Sequence, residues 1–453
     1  MFLSNSIMSE VSETFDGFST DGFNPAFRTS ATPKRSLCCR LQPILRLLQT
    51  FAFFPGWLSA DRGTGLCTSR SLLLSLFSVA VLLINGALFG YTVKVSADYI
   101  QTFGNLHASS VSSIITGIKP LINFVNMTIF LIKFEKHGRL LGKLDKMDSA
   151  FQKHLRCSPN TEKMTITTYG LLTLAALLPL LIRGIEMYSL EISFIDRSSL
   201  LASIFNSVSV LLVPLLSIWN ILPLLYYDVI SRIIRFWCVQ LRKQMKHERA
   251  HRRRNLQFYY EQFVAISKTQ KTMGGLFNLF VLFSVGWSLF SLCLTIYFCT
   301  QATATMDAPP DGLTDSELVL WRKRVLFNIV YSSMQIFVAL AYILTICATG
   351  TATNEMTRKI VDVVLSPKSI QEFESDPIQV AFFVHKLNMQ YAWGMSVWKV
   401  FPLERGVFFT LVSLIVTYSF FLLKLKDFRQ FLASNFNGTE PIDYRQDGFP
   451  IPP

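Results

Sequence analysis

Residues 72–93 read LLLSLFSVAVLLINGALFGYTV, twenty-two positions without a charge. At about 1.5 Å per residue such a run, coiled as an α-helix, covers the ~30 Å hydrocarbon core of a bilayer. A helix of this kind satisfies its own backbone donors and acceptors, which lipid cannot do for it. The rest of the 453-residue chain has the same character: 51% of it is hydrophobic and only 16% charged, which places it outside the soluble globular class. No stretch between the apolar runs is large enough to hold a core of its own, so one membrane domain is expected.

Working outward from 72–93, six further runs are apolar enough at roughly 20 residues to cross. They lie near 110–132, 166–188, 199–227, 275–299, 325–349 and 406–425. The fold class predicted is therefore all-α and integral to the membrane, with seven transmembrane helices over 72–425. An eleven-residue run, Ile44–Phe54, follows Pro43 and stops at Pro55-Gly56. It is too short to span and reads as an interfacial helix within a cytoplasmic N-terminal segment, 1–71. Glu10, Glu13 and Asp16 interrupt the first twenty residues, so a cleavable signal is not expected and the first span takes that role.

Lysines and arginines set the orientation, since cytoplasmic loops carry their excess. The N-terminal segment and the second, fourth and sixth loops hold 32, the other side holds 10, and Lys119 lies inside a span. The N-terminus is therefore expected inside and the tail, 426–453, outside. A glycosylation sequon at Asn437-Gly438-Thr439 agrees with an outside tail; a second, at Asn126, falls within a span where it cannot be used. This topology is the reverse of a G-protein-coupled receptor. The one DRx triplet near a span, at Asp196-Arg197-Ser198, falls on the wrong side, and no NPxxY closes the last helix.

The net charge of +13 is spread over short loops, which fits the anionic inner leaflet and not nucleic acid. After the fourth run, Ile230, Ile233, Ile234, Trp237 and Leu241 continue at helical spacing among Arg232, Arg235, Arg242 and Lys243. Leu256, Tyr259, Tyr260, Phe263 and Ile266 do the same before the fifth run, and Val361, Val364 and Leu365 after the sixth. Three amphipathic extensions into the cytoplasm are predicted, packed on one another or on copies in other subunits in preference to lying on the leaflet.

The eight cysteines show no metal-binding or disulfide spacing. Cys38 and Cys39, beside a basic membrane-proximal segment, are read as unmodified thiols in preference to an acylated pair. His247-Glu248-Arg249-Ala250-His251 matches H-E-x-x-H, but Arg252, Arg253 and Arg254 follow it and would repel a dication. It is read as a solvated basic loop, and no enzyme, metal centre or cofactor site is expected. Polar side chains inside spans are costly and mark candidate functional positions. Those in the outer halves are Lys119, Glu186, Asn206, Asn328 and Gln335, with Trp287, Tyr297 and Tyr331. Together they suit a pocket for a small polar ligand, although helix–helix hydrogen bonding explains each of them singly.

The last run ends Val416-Thr417-Tyr418-Ser419-Phe420-Phe421-Leu422-Leu423-Lys424-Leu425. This resembles the closing signature of invertebrate gustatory receptors: Thr-Tyr, five mostly apolar residues, then Gln-Phe. Thr417 and Tyr418 match it, while Lys424 and Leu425 depart from it. Gly394 to Arg405 and Ala348 to Lys359 resemble the family's segments before the last helix and after the sixth. The family is similar to insect odorant receptors. The resemblance implies a homo- or heterotetramer with related subunits, a central pore lined by the last helices, and an outward-opening pocket in each subunit. It places the gate region at Lys424 and Leu425, in a pore helix that also carries Thr417 and Phe421; the weaker pocket set, read from the side chains within the spans, is Asn206, Trp287, Tyr297, Asn328, Tyr331 and Gln335.

A ring of four lysines disfavours cations. Lys424 is read as paired with Asp427 or reaching the interface, in preference to altering selectivity. The function expected is a gustatory-type chemoreceptor, a ligand-gated and cation-conducting channel subunit in the plasma membrane of sensory neurons, for a tastant or internal metabolite. A metabotropic seven-helix receptor is the alternative, and a transporter comes third.

Overall fold

The computed structural model describes residues 36–61, 65–103, 108–189, 200–250, 256–306, 314–365, 380–384, 396–397 and 401–436. Nine helices, a helical fragment at 380–384 and two small hairpins are found among them. Helix α1 (Leu37–Thr50) leads through β1 (Gly56–Asp61) and β2 (Gly65–Arg70) to α2 (Leu72–Phe103), α3 (Ala108–Ile132), α4 (Phe134–Leu155) and α5 (Thr161–Ser189). Three long helices come next: α6 (Leu200–Ala250), α7 (Leu256–Met306) and α8 (Asp315–Val364). After them, β3 (Ser396–Val397) and β4 (Phe401–Pro402) precede α9 (Arg405–Phe436).

Helices α2 and α5 expose apolar side chains such as Leu73, Leu83, Leu174 and Leu181, a surface suited to lipid and not to water. By length and composition five of the described helices suffice to cross a membrane, namely α2, α5, α6, α7 and α8. Residues 117–132 of α3 pass together with α4 as a pair bent by 66°, and α9 holds a shorter apolar stretch, Arg405–Phe421. All seven expected runs are thus helical.

Helices α6, α7 and α8 contain 51, 51 and 50 residues, about 75 Å each and over twice the thickness of the hydrocarbon. They project well beyond it, and their apolar faces are covered within the chain. Ile230, Ile233, Ile234, Trp237 and Leu241 of α6, Tyr259, Phe263 and Ile266 of α7, and Val361 and Val364 of α8 are all buried.

The structure adds helix α4 to the expected second loop. Its Leu140, Leu141, Leu144, Met147 and Phe151 are buried at helical spacing among lysines, a signal present in the sequence and hidden by the charge. The helix expected over Ile44–Phe54 runs instead from Leu37 to Thr50, with Pro43 inside it, and the Ser36 hydroxyl caps it by accepting the Cys39 N–H at 3.3 Å. Its buried face packs on α4 and α5 of the same chain. The hairpin β1–β2 was not anticipated. Its Gly56 is required, because a Cβ there would stand 2.2 Å from the Ser69 carbonyl oxygen. Helix α9 also continues past residue 425 into the expected tail.

Arg40 fastens α1 to the α4–α5 connection. Its guanidinium meets the Asp148 carboxylate at 2.5 Å and donates to the Ser158 hydroxyl and the Pro159 carbonyl. Asp148 is almost wholly buried, and Gln152 donates to it as well. Burial raises the Asp148 pKa, and the Arg40 charge beside it works in the opposite direction. Removing the arginine strands a buried carboxylate. Arg40→Ala is expected to cost on the order of 2–3 kcal/mol, below the usual value for a fully buried pair because Arg40 is 22% exposed. Thermal unfolding in detergent checks this, with the double variant Arg40→Met/Asp148→Leu expected to recover most of the loss.

Candidate functional site

Helix α9 has two different sides. Leu411 and Ile415 are buried against the chain, whereas Thr410, Ser413 and Thr417 are exposed on the other face. These three line a shallow groove of about 530 Å³ with Phe409, Leu414 and Tyr418. The Thr410 hydroxyl donates to the Gly406 carbonyl at 3.1 Å and that of Thr417 to Ser413 at 2.9 Å. Each donor is used within the helix, which leaves the oxygens free to face outward as acceptors. Lys424, seven residues beyond Thr417, is exposed on the same side, as is Phe421. Leu425 is helical, and its side chain lies outside the described residues.

The register of α7 on α8 is set where their buried polar side chains meet. Gln270 donates from Nε2 to Asn354 Oδ1 at 2.8 Å, and its Oε1 accepts from Thr357 at 3.0 Å. Thr357 also lies 3.6 Å from Cys238 of α6. Roughly two to three helical turns away along α6 and α8, Asp228 of α6 accepts from Thr349 at 3.2 Å and pairs with Arg232 and Arg235 at 2.6 and 3.3 Å. Ser284 beside Tyr342 continues the antiparallel register along the pair.

Thirteen residues further along α7, Tyr297 comes level with Asn328 and Tyr331 of α8, while Gln335 comes level with residues near 291. Tyr297 and Trp287 are half-buried and Gln335 is buried. The structure therefore places these expected pocket residues on adjoining helices. Asn206 is on α6, but its side chain, like those of Asn328, Tyr331 and Glu186, lies outside the described residues. Lys119 is half-buried in α3. The sequon at Asn437 and the second histidine of H-E-x-x-H, His251, also lie outside them.

The profile of the family described as 7tm Chemosensory receptor matches residues 41–426, most of the chain. The chain belongs to the 7tm chemosensory receptor family. A relative from Caenorhabditis elegans, named "Probable G-protein coupled receptor egl-47", is 36% identical over 398 residues, covering 85% of this chain and 74% of that protein. The insect olfactory receptor OR5 from Machilis hrabei has a similar fold, with a TM-score of 0.54 at 14% identity. That likeness covers 85% of this chain and 97% of the solved one. The protein is accordingly a multi-pass membrane receptor of the chemosensory class.

A feature the sequence did not reveal in this chemosensory receptor is a buried histidine at the α3–α4 bend. His137 is 1% exposed and stacks on Phe130 at 4.7 Å between ring centroids, with Phe54, Tyr226 and Phe277 within 6 Å. Its Nδ1 has no hydrogen-bond partner. Burial, and secondarily the charge of Lys133, depress its pKa to about 3. Lys133 itself donates to the Leu276 and Gly275 carbonyls of α7 at 2.8 and 3.3 Å, and burial lowers its pKa as well.

For His137 the unfolded chain binds a proton below about pH 6.5 and the folded one does not. Stability from this group is therefore complete above pH 6.5 and falls toward about pH 3 by ~1.4 kcal/mol per unit. Melting temperatures in detergent at pH 7 and pH 5 are expected to fall further for the parent protein than for His137→Phe. Parallel falls would contradict the assignment.

Proposed function

We propose that this chemosensory receptor is one subunit of a ligand-gated, cation-conducting channel, a homo- or heterotetramer of gustatory type. Seven spans, counting α3 and α9, would put the N-terminus inside and the C-terminus outside. The observation that carries the reading is the hydroxyl row Thr410, Ser413 and Thr417, exposed on a helix whose opposite side is buried in its own subunit. Facing lipid, the row gains nothing. Facing a water-filled axis made with three copies, it supplies oxygen acceptors to a passing cation, and the apolar Phe421 provides a constriction.

The ligand would be a small molecule, a tastant or internal metabolite, held in the outer halves by Trp287, Tyr297, Gln335 and their neighbours Asn206, Asn328 and Tyr331. It would open the pore only in so far as it binds the open arrangement more tightly than the closed one. The plasma membrane of a sensory neuron is the setting proposed. Lys424 would sit at the outer mouth, close to water, and Asn437 in the extracellular tail would carry glycan.

A metabotropic receptor is the second reading, favoured by the name that the nematode relative bears. The two differ in topology. With the full chain expressed at the cell surface, an epitope tag after Pro453 is expected to bind antibody without permeabilisation; labelling only after permeabilisation would sink the inverted topology. In the channel itself, Thr410→Cys, Ser413→Cys and Thr417→Cys are each expected to let a charged thiol reagent block more than about half of the current. Leu411→Cys and Ile415→Cys, on the buried side, should be spared.

A further inference from the structure

The entry into α9 is held in three places. Leu403, fully buried, sits against Gly350 of α8, where a Cβ would approach Leu403 Cδ1 to 2.4 Å and the Tyr227 hydroxyl to 3.2 Å. The Leu403 carbonyl accepts from Asn354 Nδ2 at 3.0 Å. Asn354 is the residue that Gln270 holds from α7, so this point is fixed to the packed inner ends of two helices. Beyond it, the next two residues reach back to α8 in crossed order. Glu404 accepts from Arg358 at 2.6 Å, and Arg405 makes two bonds to Glu355, at 2.6 and 2.8 Å.

Neither ion pair is buried: side-chain exposures are 39 and 46% for Arg358 and Glu404, and 51 and 28% for Arg405 and Glu355. Exposed pairs contribute little to folding. Their geometry does something else. The buried anchor at Leu403, with Leu411 and Ile415 packed farther along, still leaves the first turn of α9 room to rotate and tilt about that point. Two struts, from positions three apart on α8 and so about one helical turn from each other, remove that freedom. Because each strut joins opposite charges and the order is crossed, a shifted arrangement would bring Arg358 toward Arg405 and Glu355 toward Glu404. The planar two-bond contact of Arg405 with Glu355 adds direction as well as attraction.

We propose that Glu355, Arg358, Glu404 and Arg405 are positioning residues that set the resting open-to-closed ratio of α9, with Leu403 as the pivot. The proposal rests on the channel reading. Helix α8 runs unbroken from Gln335, among the proposed pocket residues, to Asn354 and Glu355. A displacement of α8 at the pocket therefore arrives at the struts as a displacement of α9's first turn.

The test uses the full chain in cell membranes, with no ligand required. Two quantities are read for each variant: open probability in single-channel records, and the rate at which a water-soluble thiol reagent modifies Thr417→Cys above the parent background. Glu355→Arg alone and Arg405→Glu alone are each expected to change both by three- to tenfold in the same direction, and the swap Glu355→Arg/Arg405→Glu to return them to within twofold of the parent. Melting temperature and surface level should stay near the parent throughout, which a merely structural role would not predict if gating moved. Parent currents with silent single reversals, or a swap that adds the two defects, would overturn the struts and leave the channel reading intact. A parent protein present at the surface and passing no current would overturn the channel reading and the gating role with it.

Discussion

The register of the two long helices α7 and α8 depends on the side-chain amide of Gln270. Buried between α7 and α8, it has both its donor and its acceptor used, by Asn354 and Thr357, while Asn354 spends its own donor on Leu403 at the entry to α9. A slip of one residue between the two helices would leave these groups unpaired, at about 1–3 kcal/mol for each buried polar atom. One register is therefore selected strongly. Since α7 and α8 are continuous for 51 and 50 residues, the register chosen at Gln270 also decides which side chains meet at the far end of the pair. The level placement of Tyr297 with Asn328 and Tyr331 is a remote consequence of an amide some 40 Å away at ~1.5 Å per residue.

The distribution of the core follows from where water is. Among apolar side chains the hydrophobic effect drives helices together only where the alternative is water, not where it is lipid tails. The aromatic cluster of Phe53, Phe54, Phe130, Phe134, Tyr226, Tyr227, Phe277 and Phe280 accordingly gathers around the α3–α4 bend and the middle of α6 and α7, and the core continues through Phe151, Trp237 and Phe263. Helices α2 and α5 leave leucines uncovered. Among the described residues the packing is therefore densest around the α3–α4 bend.

What the sequence made legible was whatever depends on local pattern. Seven apolar runs became seven helices, and the amphipathic continuations at Ile230–Leu241, Tyr259–Ile266 and Val361–Val364 bury the faces expected. Helix α4 escaped notice because eight basic residues between Lys133 and Lys163 make the segment look like a loop, although Leu140, Leu144, Met147 and Phe151 keep helical spacing beneath them. The hairpin β1–β2 was hidden for a different reason: its strands, GWLSAD and GLCTSR, have no apolar alternation to speak of, and the demand for Gly56 comes from Ser69, thirteen residues away. His137 and the struts at Glu355 and Arg358 could not be read at all. Their significance lies in partners 46 to 140 residues distant, such as Glu404, Arg405 and Phe277, which no local pattern supplies.

Spacing on α9 carries one more constraint. Thr410, Thr417 and Lys424 are seven residues apart, and a straight α-helix turns such positions by only ~20° per repeat. Over two repeats the row drifts about 40°, so it remains on one side of the helix along most of a bilayer's depth. A seven-residue row that faces away from its own subunit is the pattern by which helices related by rotational symmetry keep one stripe toward a shared axis. The row changes character along its length, from hydroxyls at Thr410 and Thr417 through the ring of Phe421 to the ammonium of Lys424. If this stripe lines an axis, the charge comes last, where the surrounding water weakens repulsion between copies, and the aromatic ring lies just inside it, where the least water is needed to close the path. The order of these side chains then follows from the same demand that shaped the inner end: each polar group stands where something can answer it.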